Sequence, residues 1–201
     1  GGVVATLALG GTATLALAED PVPCDGEPDC LGIYFDAPTW EQTCLEPSVA
    51  VPFTMYWVLK DPSAAMIHGY EFGWRAEPEF GSTVFVIGVV LPPGCGIPES
   101  SDVTCAFAEP VPFAGPMLLL SLTLLTVAPD LAVDLHLGPA EPATVPGHAV
   151  YGDAEWNLVP MSFGVPVDES GWTTTPVARL GDCAVGTAPA TWSRVKALYH
   201  D

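Results

Sequence analysis

Residues 116–127, PMLLLSLTLLTV, decide the fold. The run carries no charge, and Ala128-Pro129 closes it. It is too short to cross a bilayer as a helix, which takes about 20 residues. Read at period two, Leu118, Leu120, Leu122 and Leu124 share one face. Met117, Leu119, Ser121, Thr123 and Leu125 share the other. One wholly apolar face and one mostly apolar face describe a central strand, buried on one side and partly covered on the other. A buried helix is the competing reading, because leucine is a good helix former. The flanking prolines and the β-rich neighbours favour the strand.

Working outward, similar short runs recur between Pro and Gly turns. Strands are expected at 31–36, 49–59, 67–76, 85–91, 103–108 and 131–137, with shorter candidates at 149–151, 158–163 and 177–180. In 49–59, Val51, Phe53, Met55, Trp57 and Leu59 alternate with Thr54, Tyr56 and Val58, and Pro52 suggests an edge or a bulge near the start. In 67–76, Tyr70, Phe72 and Trp74 share a face with His68, and Gly69, Glu71, Gly73 and Arg75 share a solvent-facing side. Short strands broken by turns make an all-β antiparallel sandwich, with Phe53, Met55, Trp57, Phe72, Leu118, Leu120, Leu122 and Leu124 facing inward. Only the tail differs. In TWSRVKALYHD, 191–201, Trp192, Val195, Leu198 and Tyr199 recur at helical spacing, so a short C-terminal helix is expected within 183–201, with a frayed tail as the alternative.

The 201 residues are 49% hydrophobic, enough for one domain with a sizeable core. Five Lys and Arg face 24 Asp and Glu, a formal net charge of −19. That balance argues against nucleic acid and anionic membrane surfaces, which both need basic residues. Residues 1–18, GGVVATLALGGTATLALA, read as a truncated secretory signal peptide, with Ala16-Leu17-Ala18 as its small-x-small cleavage site. A retained membrane anchor is the other reading. Cleavage would leave no membrane span, an acidic lead-in at 19–30, a domain at 31–182 and a secreted or cell-surface protein.

Six cysteines in an exported chain point to disulfides. Loop length favours Cys24 with Cys30 and Cys95 with Cys105, which leaves Cys44 for Cys183. Other pairings stay open. There is no C-x-x-C pair and no His set at zinc spacing. Asp25, Glu27, Asp29 and Asp36 fall at calcium-loop spacing, but Cys30 stands where such a loop needs glycine. A solvated acidic lead-in is therefore expected, with no metal and no cofactor.

The chain lacks G-x-S-x-G, H-E-x-x-H, a P-loop and G-x-G-x-x-G. Asp134 and His136 share a strand face and form a conceivable acid/base pair without a nucleophile beside them. His148 follows a Pro-Gly turn and is expected in solvent. Trp57 and Trp74 fit core faces, whereas Trp40, Trp156 and Trp172 fall in loop-like sequence. Exposed indoles stack on sugars or anchor protein partners, so these three are the candidate binding residues, with plugs for the ends of the sandwich as the alternative.

The order VPFTMYWVLKDPSAAMIHGYEFGWRA, VTCAFAEPVPFAGPMLLLSLTLLTV, LAVDLHLG, from Val51 onward, resembles cohesin-like domains of the bacterial carbohydrate-binding-module superfamily. The resemblance covers roughly half the chain. It implies an Ig-like or jelly-roll sandwich that binds a protein module. The layout also resembles secreted sandwich proteins of environmental bacteria. The expected function is a non-catalytic module with a protein or carbohydrate partner. The alternative is an extracellular hydrolase using paired carboxylates such as Asp134 and Glu155.

Overall fold

In a computed structural model the described residues are Cys24, 26–95 and 101–183. They fall within one unit, Asp20–Val185. The expected signal peptide and tail helix lie outside them. The elements in chain order are β1 (Cys30–Tyr34), β2 (Cys44–Leu45), β3 (Phe53–Lys60), β4 (Met66–Glu77), β5 (Val84–Val90) and β6 (Asp102–Pro112). There follow β7 (Met117–Thr126), β8 (Val133–Gly138), β9 (Val150–Asp153), β10 (Leu158–Pro160) and β11 (Ala178–Leu180). The described residues contain no helix, and none is long and apolar enough to cross a membrane.

The strands form two sheets. One has four strands in the order β1-β3-β7-β5, and β7 lies inside it. The other has seven. β4 pairs with β6 along one edge and with β9 and then β8 along the opposite edge, because Ile67 and Gly73 each have a partner on both sides. The sheet continues through β11 to β2, which pair in parallel. β6 tolerates Pro110 and Pro112 because, among the described residues, only one of its edges is paired.

Both sheets press their apolar faces into one core. From the four-stranded sheet come Leu31, Ile33, Met55, Trp57, Leu59, Leu120, Leu122 and Leu124. From the seven-stranded sheet come Ile67, Tyr70, Phe72, Val103, Phe107, Leu135, Leu137 and Tyr151. Each large apolar side chain buried in this way stabilises the fold by about 1.5–3 kcal/mol. Three bulges modify the simple alternation, one of them at Ile87 in β5. Trp57 pairs with Leu120 but Val58 with Leu118, so Leu119 is the extra residue. Leu119 is fully buried and Leu118 only half-buried, which corrects the expected inward Leu118. A second bulge lies between Ile67 and Gly69. It detaches His68 from the face of Tyr70 and Phe72, and His68 stacks instead on Trp156.

Three disulfides join Cys24 to Cys30, Cys44 to Cys183 and Cys95 to Cys105, the pairing that loop length favours. Cys44 to Cys183 spans 139 residues and clasps β2 to the chain just beyond β11.

Candidate functional site

Each loop tryptophan is held by an aspartate a few residues before it. Asp36 accepts the hydroxyl of Thr39 and the backbone N–H groups of Glu41 (3.0 Å) and Gln42 (2.8 Å), which frame Trp40. Asp153 accepts the N–H groups of Glu155 (2.9 Å) and Asn157 (2.8 Å) and the Asn157 amide (2.8 Å), which frame Trp156. Asp168 accepts the Ser170 hydroxyl (2.7 Å) and the N–H of Trp172 (3.1 Å). Trp40 and Trp156 hold left-handed backbone, φ 54° and 65°, which bulky residues rarely adopt. The aspartate bonds hold them there. All three carboxyls sit below their ordinary 3.8. For Asp36, burial opposes the shift and the bonds from Thr39, Gln42 and Glu41 outweigh it. For Asp153 and Asp168 the leading causes are the side-chain bonds from Asn157 and Ser170.

The three indoles do not converge. Trp40 packs edge-on against Tyr56, on the outer side of the four-stranded sheet, and its carbonyl accepts from Lys60 Nζ at 2.7 Å. Trp156 and Trp172 lie on the outer side of the other sheet, each over a cross-strand glycine pair of β4. Gly69 pairs with Gly152, which lies beneath Trp156. Gly73 pairs with Gly138; a Cβ on Gly138 would collide with Trp172, and one on Gly73 with the Pro139 carbonyl, with Trp172 close by. Gly69 and Gly73 are four residues apart, about 13 Å along the strand. Between them Glu71 is buried, not solvent-facing as expected. Its carboxylate accepts the N–H (2.6 Å) and hydroxyl (2.7 Å) of Thr144.

Trp172 is enclosed, with Gly138 beneath it and the Arg75 guanidinium 4.7 Å from the ring centroid. Trp156 is open, 55% exposed. His68 stacks on one face at 4.4 Å, and Trp156 also lines a cleft of about 240 Å³ with Gly69, Glu71, Thr104, Thr144 and Leu158.

The carboxylate pairs fail on geometry. Asp134 and His136 do share the outer face of β8. However, Asp134 binds Arg179 at 2.7 Å, and His136 turns Nδ1 to the carbonyl (3.0 Å) and hydroxyl (3.2 Å) of Thr173. Asp134 pairs with Glu77 at one end of β4, and Asp153, two residues before Glu155, pairs with Ile67 at the other. Ten residues of strand place Asp134 and Glu155 roughly 30 Å apart, against the roughly 5–10 Å that glycoside hydrolysis needs. The hydrolase pair is thus excluded. In the lead-in, Asp29 is committed to Ser63 N (2.7 Å) and the Tyr151 hydroxyl (2.5 Å). Among the described residues no three His, Cys, Asp or Glu gather as a metal site.

Charge is divided between the sheets. β1, β3, β7 and β5 contain one charged residue, Lys60. Residues 80–98 and 110–129 contain none. The described residues expose ten large apolar side chains, and seven gather here. Phe85, Val86, Ile87 and Val90 belong to β5, and Val49, Val51 and Val127 to the adjoining corner. That corner is tied together by Ala50 N to Thr126 O and Val127 N to Thr83 O, both 2.9 Å. An uncharged apolar strip on so acidic a molecule has the character of a contact surface.

No protein-family model matches the chain, and no curated protein does. Solved structures do. The sixth cohesin of scaffoldin B from Acetivibrio cellulolyticus, solved in complex with a Cel5 dockerin mutant, is similar over 76% of this chain and 96% of its own. The identity is 11% and the TM-score 0.50. A cohesin module from a Clostridium perfringens family 33 glycoside hydrolase is similar over 66% and 89%, at 9% identity and TM-score 0.42. The fold is a cohesin-like β-sandwich.

Within this cohesin-like sandwich, reading residue types alone passed over two features. One is the set of turn aspartates, visible as D-x-x-x-W at 36–40 and 168–172 and as D-x-x-W at 153–156. The other is the apolar strip. Its signal is the absence of charge over 80–98 in a chain of net −19.

Proposed function

We propose that this chain is a non-catalytic, extracellular binding module that docks another polypeptide on the uncharged strip along β5. The observation that carries the reading is that, of the ten large apolar side chains exposed among the described residues, four lie on β5 and three in the corner beside it, next to the sheet whose strands hold a single charge. Three disulfides support a location outside the reducing cytoplasm, as does the signal-peptide-like composition of residues 1–18. The dockerin bound to the similar cohesin supports a sandwich of this shape as a platform for a protein partner. Immobilised chain, offered the extracellular proteins of its source, should retain a specific partner without altering it. An Ile87→Lys bait should lose that partner. Equal retention by both baits would remove β5 from the reading.

A second reading rests on Trp156. Its rigid turn, the cleft beside it and the glycine floor suit a neutral sugar ring stacked on the indole, with hydroxyls meeting Glu71 and Thr104. A glycan array probed with the chain and with Trp156→Ala would show binding lost in the variant. No binding by either would end this reading.

A further inference from the structure

We infer that the polypeptide docked on β5 is a second copy of this chain, joined edge to edge by antiparallel pairing of β5 with its own mate across a two-fold axis. The inference rests on the protein-binding reading above and names its partner. β5 ends the four-stranded sheet, with β7 along one edge and, among the described residues, no strand along the other. Its open backbone can be located. Val127 N donates to Thr83 O, so Thr83 and, two residues on, Phe85 bond toward β7. Val84 and Val86 therefore turn their N–H and C=O groups toward the open edge. Such an edge is a template for another strand. Natural sheets blunt it with lysine, proline or an inward charge, and VFVIGVV has none of these. A bulge at Ile87 is the single irregularity.

The choice of a second copy follows from charge. Two molecules of net −19 repel over most of their surfaces. Residues 80–95 and the neighbouring β7 form an approach with no acid. A strand that is apolar at every non-glycine position also meets itself favourably in an antiparallel two-fold arrangement, where the same patch serves both sides. Phe85 and Val90 from each copy would then cover one another on the outer face.

The arrangement has a salt signature. Repulsion between the acidic remainders is screened as the Debye length falls from about 10 Å at 0.1 M to about 3 Å at 1 M salt, while pairing of uncharged strands is not. Self-association should tighten with salt, whereas a complex with a basic partner would weaken. Sedimentation velocity of the full chain over a concentration series, at both salt levels, tests this. A reversible dimer that tightens with salt is expected, with slowed amide exchange at Val84 and Val86. Ile87→Lys should weaken it by about tenfold or more, by placing a charge in the seam. Val86→Pro should do the same by removing an outward N–H while sparing the bonds to β7. Circular dichroism and thermal melts confirm that both variants fold. A monomer at every concentration and salt, or a dimer indifferent to both substitutions, overturns the inference. If a monomeric chain still captures a different protein through Ile87, the second copy is wrong and the binding reading stands.

Discussion

The two sheets of this sandwich solve the same packing problem and present opposite surfaces. The four-stranded sheet has one charged side chain and an open apolar edge. The seven-stranded sheet carries Glu71, Arg75, Glu77, Asp102, Glu109, Asp134, Asp153 and Arg179 on its strands. It covers its outer face with loops pinned by glycine pairs and aspartate turns. The core needs only one apolar face from each sheet. What the other face displays is therefore open to function. Along β5 it is backbone and hydrocarbon, and over the seven-stranded sheet it is indole, carboxylate and guanidinium.

The largest test of the difference is the clasp that closes the seven-stranded sheet at β2 and β11. Replacing Cys44 and Cys183 with serine frees a loop of 139 residues. The chain-entropy account assigns that loop about 5 kcal/mol, and the other two bridges about 2–3 kcal/mol each. Chemical denaturation should show the order, with the Cys44–Cys183 variant lowest. Next comes the glycine seat of Trp172. A Cβ at position 138 meets the indole carbons, so Gly138→Ala must displace the ring or shift β8, at about 1–3 kcal/mol. Melting curves and a change in Trp172 fluorescence check this. On the four-stranded sheet, Phe85→Lys should move stability by no more than about 0.5 kcal/mol, because the ring is 46% exposed. Its effect should appear in partner binding. A large loss of stability there would mean that the strip is structural.

Much of this was legible in the sequence for simple reasons. Ten strands could be read because apolar alternation and Pro and Gly turns are local signals, and the 116–127 run became the inner strand β7. The two-residue β2 could not be read, since Cys44–Leu45 pairs with β11 through a contact more than 130 residues away in sequence. Leu118 was misplaced because a bulge inserts one residue and leaves no mark in the composition. The solvent-facing reading of Glu71 missed the loop bearing Thr144, which folds back across 73 residues to cover it. Trp40, Trp156 and Trp172 stood out by type. Their separation onto two sheets is a property of topology, which residue types do not encode.

The smallest expected effect separates the aspartate turns from the core by pH. Asp36, Asp153 and Asp168 each titrate below 3.8, because their carboxylates accept bonds that protonation weakens. A group with a depressed folded value contributes stability above its unfolded value, and loses it as pH falls through the folded one. The turns should therefore be intact at neutral pH and loosen below about pH 4. Global unfolding should lag behind. Acid neutralises 24 carboxyls and leaves five Lys and Arg with four His, so self-repulsion falls before it rises with the opposite sign. Indole resonances of Trp40, Trp156 and Trp172 should shift in this window, while Trp57, fully buried in the core, stays put. Asp153→Asn keeps an acceptor oxygen for the Glu155 and Asn157 amides but has no proton to gain. In that variant the Trp156 shift should vanish and the Trp172 shift remain. If Trp57 moves together with the loop indoles, or Trp156 still titrates in Asp153→Asn, the aspartate turns are not what holds the tryptophans.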